Sequence, residues 1–201
     1  HKCYNVLGKD DKMKKKTILY AVAIALLVLI FGIFIKLNSN KQVSTINSAS
    51  DMKKMLKTIY SNAKTDLPSL STEKVDLSNT DIVTSYTGLK TANDIDLLVV
   101  SEPLINAQAY LVAVIKVKDN VDVEKVKTEI YDNIDMRRWI CVSAEKLYIT
   151  NNGNVIFLVM ADENWAKPVY DEFKAYVNNS IGKELEKTND EGSIELPPEM
   201  P

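Results

Sequence analysis

The apolar positions of this chain fall into three kinds of pattern. Residues 17–35 (TILYAVAIALLVLIFGIFI) run for 19 positions without a charge, between Lys14, Lys15 and Lys16 on one side and Lys36 on the other. A helix of that length, at about 1.5 Å per residue, reaches about 28 Å, close to the roughly 30 Å hydrocarbon core of a bilayer. The run is apolar all round, whereas a helix docked on a small globular domain keeps a polar face. It predicts one transmembrane helix. A cleaved signal peptide fits less well, because such an apolar region is shorter and ends in small residues, and this one ends Phe31-Gly32-Ile33-Phe34-Ile35. No cysteine follows the run to take a lipid. Lysine-rich flanks stay in the cytoplasm, so everything after about residue 37 is expected outside the cell.

The second pattern is helical. Met52, Met55, Leu56, Ile59 and Tyr60 recur at helical spacing behind Ser50, a candidate N-cap. Their apolar face is expected to dock on the domain core, with a surface offered to a partner as the alternative. Residues 81–86 fit one helical turn ended by Gly88. Val126, Ile130 and Ile134 make a stripe behind Asp122 as N-cap, with Arg137 and Arg138 expected in the last turn, where cations suit the carbonyl end of the helix. Val169, Tyr170, Phe173, Tyr176 and Val177 form the last stripe, capped by Asp162 or Asn164, with Pro168 tolerable near the first turn.

The third pattern is of strands. Residues 95–100 (IDLLVV), 109–118 (AYLVAVIKVK), 146–150 (KLYIT) and 155–160 (VIFLVM) are β-branched and aliphatic, with a weaker candidate at 75–77. The last two main runs flank Asn151-Asn152-Gly153-Asn154, a hairpin signal. The order β-β-α-β-β-α predicts an α+β fold with an antiparallel or mixed sheet and helices on one face. The expected organisation is a cytoplasmic start (1–16), the transmembrane helix (17–35), a Ser/Asn-rich linker (36–50), an extracytoplasmic α+β domain (51–178) and an acidic tail (179–201). Charge and prolines predict disorder in that tail, with a short Pro-rich recognition segment as the alternative.

Charge divides along the same boundary. Residues 1–36 carry seven lysines against two aspartates, net +5; the remainder carries 18 cations against 25 acids, net −7. Only Arg137 and Arg138 are arginine. An acidic outer region with so little arginine is not expected to seek nucleic acid or anionic headgroups. The targeting pattern begins at Met13, and Gly8-Lys9-Asp10 fits a purine-rich ribosome-binding sequence, so translation is expected to start at Met13. An N-terminal extension or a cloning scar is the alternative for His1 to Lys12. Cys141 is then the one thiol of the outer region, expected to be a small buried residue between Ile140 and Val142, with intermolecular pairing as the alternative.

Missing residue types narrow the chemistry. The single histidine is His1, so Ser-His-Asp and Cys-His nucleophiles and the usual zinc ligand sets cannot be assembled beyond it. No P-loop, Gly-rich dinucleotide loop or EF-hand loop occurs. Carboxylate chemistry is what remains: Asp94, Asp96, Glu102, Asp162 and Glu163 are candidate acid and base residues for glycan hydrolysis, which needs two carboxyls about 5 to 9.5 Å apart. Solvated turn acids are the plainer reading of all five. No catalytic, cofactor-binding or metal-binding residue is assigned.

One resemblance adds to this. The stretch from Ser101-Glu102-Pro103-Leu104 through Tyr110 to Asp119, the helix to Arg138, the run from Gly153 to Met160 and the closing helix to Val177 resemble a family of small extracytoplasmic domains of unknown function. They are found on lipoproteins and single-pass anchors of Gram-positive bacteria. The resemblance covers roughly residues 50–178 and implies the compartment and the ββαββα order. It brings no active residue, and this chain lacks the lipidated cysteine of the lipoprotein members. Two functions are expected to compete: a non-enzymatic binding or assembly module with an envelope protein partner, and a cell-wall hydrolase using paired carboxylates.

Overall fold

The computed structural model describes residues 46–105 and 108–189, together with Tyr20. The chain divides into two units, 1–42 and 43–201, and the sheet belongs wholly to the second. Among the described residues no helix is long and apolar enough to cross a membrane. The expected span at 17–35 lies outside them except for Tyr20, as does the tail beyond residue 189.

The domain is α+β. Its elements are α1 (Ala49–Asn62), β1 (Leu70–Lys74), α2 (Thr80–Thr87), β2 (Ile95–Pro103), β3 (Tyr110–Val117), α3 (Val123–Asn133), β4 (Lys146–Asn152), β5 (Val155–Ala161), α4 (Glu163–Tyr176) and β6 (Leu185–Thr188). They build one six-stranded sheet of order β1-β2-β3-β5-β4-β6. Every pairing is antiparallel, which excludes the mixed sheet.

Helices cover both faces, contrary to the one-face expectation. Leu111, Ala113, Ile115 and Val117 of β3 join Val83 of α2 and Val126 and Ile130 of α3 in one core. Tyr110, Val112 and Val114 join Met52, Met55, Leu56 and Ile59 of α1 and Val169, Tyr170 and Phe173 of α4 in the other. The physical reason is the side-chain period of 2: a strand apolar at both parities must be covered on both sides. β3 and β5 are such strands, and every residue of β5 is buried.

Local chemistry sets the element ends. Ser48, not Ser50, caps α1; its Oγ accepts from the Asp51 N–H at 3.1 Å, and the Asp51 carboxylate accepts from the Ser48 N–H at 3.1 Å. The Ser48 hydroxyl also donates to Asp51 Oδ2 at 2.7 Å, and this bond above all, with those from the Asn47 and Ser48 N–H groups, holds the Asp51 carboxyl below its usual range. Ile46 is buried in the α1 core, so the packed domain includes part of the expected linker. Asp122 caps α3 by accepting from the Glu124 and Lys125 N–H groups. The Asn-Gly signal resolves into a two-residue loop, Gly153-Asn154, with Asn152 opposite Val155. Only Gly153 takes a positive φ, +55°, the pattern of a type II′ hairpin turn. Pro168 lies in the second turn of α4 and cannot donate to the Asn164 carbonyl; Thr65 Oγ1 donates to that carbonyl instead, at 3.0 Å.

Four expectations move. The first strand is β1 at residues 70–74, not 75–77. α3 ends at Asn133 with Ile134 as its C-cap, so Arg137 and Arg138 lie beyond the helix and cannot serve its last turn. Residues 185–188, expected in the disordered tail, form β6 on the edge of β4. Cys141 is exposed and has a φ of +67°, not buried. The left-handed turn there leaves Ile140 outside while Trp139 and Val142 pack on the core.

Two tyrosine hydroxyls, of Tyr60 and Tyr110, are buried side by side without a well-formed hydrogen bond. Burial pushes Tyr60 up to about 12 and Tyr110 well above the ordinary value of 10.0. Both raised values favour the protonated form in the folded state, so their contribution is intact below pH 10 and is lost as pH rises through the folded values. A spectrophotometric titration is expected to show these two tyrosines ionising only with unfolding, above about pH 10. Reversible ionisation near pH 10 of all nine tyrosines in the folded chain would contradict this.

Candidate functional site

The register places the five candidate acids. Asp94 and Asp96 lie at the start of β2, where the Asp94 carbonyl accepts from the Lys118 N–H. Glu102 lies six residues further along the strand, about 20 Å from Asp96 at the usual rise. Asp162 and Glu163 follow β5 at the same end of the sheet as Glu102, because Tyr110 and Lys146 both pair with Ala161. Yet Glu102 is bonded to Tyr86 of α2, on one face, and Glu163 to Tyr148, on the other. The sheet therefore separates Glu102 from Asp162 and Glu163.

Asp162 and Glu163 do meet a third acid, Glu145, which the sequence reading missed. Glu145 Oε2 accepts from the Glu163 N–H at 3.0 Å, supplying the cap for α4 that the Asp162 side chain does not make. Glu163 takes the Tyr148 hydroxyl on both oxygens, at 2.9 and 2.8 Å. Burial first, and the Glu145 charge second, raise the Asp162 carboxyl. Glu145 and Glu163 thus have structural partners. Among the described residues no group of acids, cysteines or histidines could hold a metal ion.

A different region gathers more unusual features. Between α2 and strands β1 and β2 lies a cleft of about 300 Å³, lined by Ser71, Glu73, Asp76, Ile82, Tyr86 and Glu102 among others. Ser71 sits opposite Glu102 and Glu73 opposite Val100, so these side chains share one face of the sheet. Tyr86 forms the wall: its hydroxyl donates to Glu102 Oε1 at 2.7 Å, and the Arg138 guanidinium lies 4.4 Å from its ring centroid. Burial chiefly, then Glu102, raises the Tyr86 phenol, so it remains a neutral donor. Ser78 donates twice to Asp76 Oδ1, from N–H and Oγ, and holds that carboxyl below its usual range.

Among the described residues of the domain, one exposed large apolar side chain lines this cleft and three others follow β2 and α3 in sequence. Ile82 lines it at 41% exposure; Leu104 and Ile105 are 68% and 72% exposed, and Ile140 is 86% exposed. The Leu104 N–H donates to the Ser69 carbonyl, which places that turn directly below β1. Ile140 follows Arg138, the residue stacked on Tyr86, by two positions. Of these groups the sequence reading singled out Glu102 alone as a candidate. The Ile-Cys-Val triplet was legible as apolar, but its outward turn depends on the left-handed backbone at Cys141.

Comparison with protein-family models, with curated proteins and with solved structures found no match.

Proposed function

We propose that this chain is a membrane-anchored extracytoplasmic module that binds a protein partner at the cell envelope and carries out no reaction of its own. The observation that carries this reading is the exposure of Ile82 on the cleft together with that of Leu104 and Ile140, each two residues from a side chain, Glu102 or Arg138, that meets the cleft-wall residue Tyr86. Singly exposed apolar residues are ordinary, whereas several that share one region are what an interaction surface needs. Anchoring rests on the charge-free run at 17–35 and the lysines before it, and agrees with the compartment that the family resemblance implies. A tether of this kind raises the local concentration of the module near membrane partners, so a modest affinity suffices.

The carboxylate hydrolase is the second reading, and the raised carboxyl of Asp162 beside Glu145 is what favours it. Site-specific photo-crosslinking in native membranes separates the two. A photoreactive residue at Ile105 or Ile140 is expected to capture the same single protein, and one at Asp171, exposed on α4 on the other face of the sheet, is not. Equal capture from Asp171, or release of cell-wall fragments that ceases in Asp162→Asn, would overturn the proposal.

A further inference from the structure

We infer that the corner formed by β1, α2 and the turn at Leu104 receives an extended cationic peptide strand of the partner, which joins the sheet beyond β1. This rests on the binding-module reading and names the chemistry that reading would recognise.

β1 is an edge strand. The Val75 N–H donates to the Leu98 carbonyl and the Leu104 N–H to the Ser69 carbonyl, which fixes the parity of the β1–β2 ladder. Odd-numbered residues 71 and 73 exchange their hydrogen bonds inward with β2. Leu70, Thr72 and Lys74 therefore direct their N–H and C=O groups outward, away from the sheet. Such a row is a template for a further strand, and natural domains use it to bind extended peptides through main-chain hydrogen bonds, with side-chain pockets giving specificity.

The neighbouring chemistry specifies the peptide. On the face where Ser71 and Glu73 project, the added strand would set alternate side chains about 7 Å apart along the rim of the cleft. The cleft is at the small end of ligand pockets, suited to one long side chain rather than to a cofactor. Its charged lining is Glu73, Asp76 and Glu102 against Lys74 alone, so a lysine or arginine is complementary and an acid is repelled. Glu73 is bridged to Lys53 at 2.9 Å, with the two side chains 71% and 39% exposed. An exposed pair of this kind is weak, so an incoming cation can replace Lys53. Ile82 on the cleft and Leu104 and Ile105 below β1 offer apolar contact to the other side chains of the strand.

The test uses the full chain and a fluorescent, end-blocked heptapeptide alternating lysine and valine, followed by anisotropy. Binding is expected, weakened at least about tenfold when glutamate replaces lysine in the peptide, as like charges meet. A peptide N-methylated at alternate amides, unable to donate to the edge, is expected to lose binding by a similar factor. Glu73→Lys, at an exposed position, is expected to weaken the lysine peptide about tenfold, the effect of reversing one charge of a close pair. Undiminished binding of the N-methylated peptide, no response to Glu73→Lys, or no binding of the lysine peptide overturns the inference. In each of these cases the crosslinking pattern at Ile105 and Ile140 still decides whether the chain is a binding module.

Discussion

Gly88→Ala is expected to lower the stability of the domain by roughly 3 to 5 kcal/mol, the sum of left-handed backbone strain and a forced shift of packed backbone. Gly88 ends α2 with a φ of +74°, and its N–H donates to the Thr84 carbonyl at 2.7 Å. A Cβ there would stand 2.5 Å from the Ile134 nitrogen and 2.7 Å from the Asn133 carbonyl carbon. Both are backbone atoms at the end of α3, so no side-chain rotation relieves the contact. Either α2 moves off the sheet or α3 does. Movement of α2 carries Ile82 and Tyr86 with it, so the cleft should open as stability falls. Urea unfolding of the variant and the parent measures the first effect, and anisotropy with the lysine peptide the second. A loss below about 1 kcal/mol would mean that the α2–α3 contact is not as close as described.

Much of this fold is legible from the residues. The two amphipathic helices α1 and α4, the Asp122 cap, the left-handed stop at Gly88 and the β4–β5 hairpin each depend on neighbours within a few positions, where residue chemistry decides. Features set by distant contacts are not. β6 has four residues of unremarkable sequence, Leu185 to Thr188, and is a strand because β4 offers it an open edge. Helices on both faces were within reach of the sequence, since residues 110–117 and 155–161 are apolar at both parities. In β3 the parity that would face solvent in a sheet covered on one side holds Tyr110, Val112 and Val114, with Lys116 its single charge.

The candidate site was less legible for a related reason. An acid is visible by residue type, whereas this corner is made by position: a strand edge, a helix that begins three residues beyond the expected strand at 75–77, and two turns that leave apolar groups outside. Glu102 is notable because β1 sets Ser71 opposite it and α2 sets Tyr86 upon it, and neither relation can be read from spacing. Conversely, Asp162 and Glu163 are adjacent in sequence and remain together in space, but Glu145 and Tyr148 take up Glu163 in structural hydrogen bonds.

Replacing Lys127 by methionine is expected to cost roughly 2 to 3 kcal/mol, most of it from acceptors left unpaired in the interior. Lys127 is fully buried, and its Nζ donates to Asn151 Oδ1 at 2.7 Å and to the Lys183 carbonyl at 2.6 Å, with Glu124 Oε1 also at 2.7 Å. Methionine keeps the apolar stem and removes all three donors. Glu124 is about half exposed and recovers water, so it adds little, in keeping with the roughly 0 to 1 kcal/mol of exposed pairs. Asn151 is buried at the turn end of β4 and does not recover water. Lys183 leads directly into β6, so the ammonium fastens the last strand to α3 and to the hairpin at once. Loss of that tie should speed hydrogen exchange at Leu185 to Thr188 and admit protease between residues 181 and 189, while Glu124→Gln should do neither. A buried charge replaced by an apolar group of similar shape can leave a protein unchanged or more stable when every partner is replaced with it. Here the partners remain, and unchanged stability with unchanged exchange in Lys127→Met would show that β6 is held by its ladder with β4 alone.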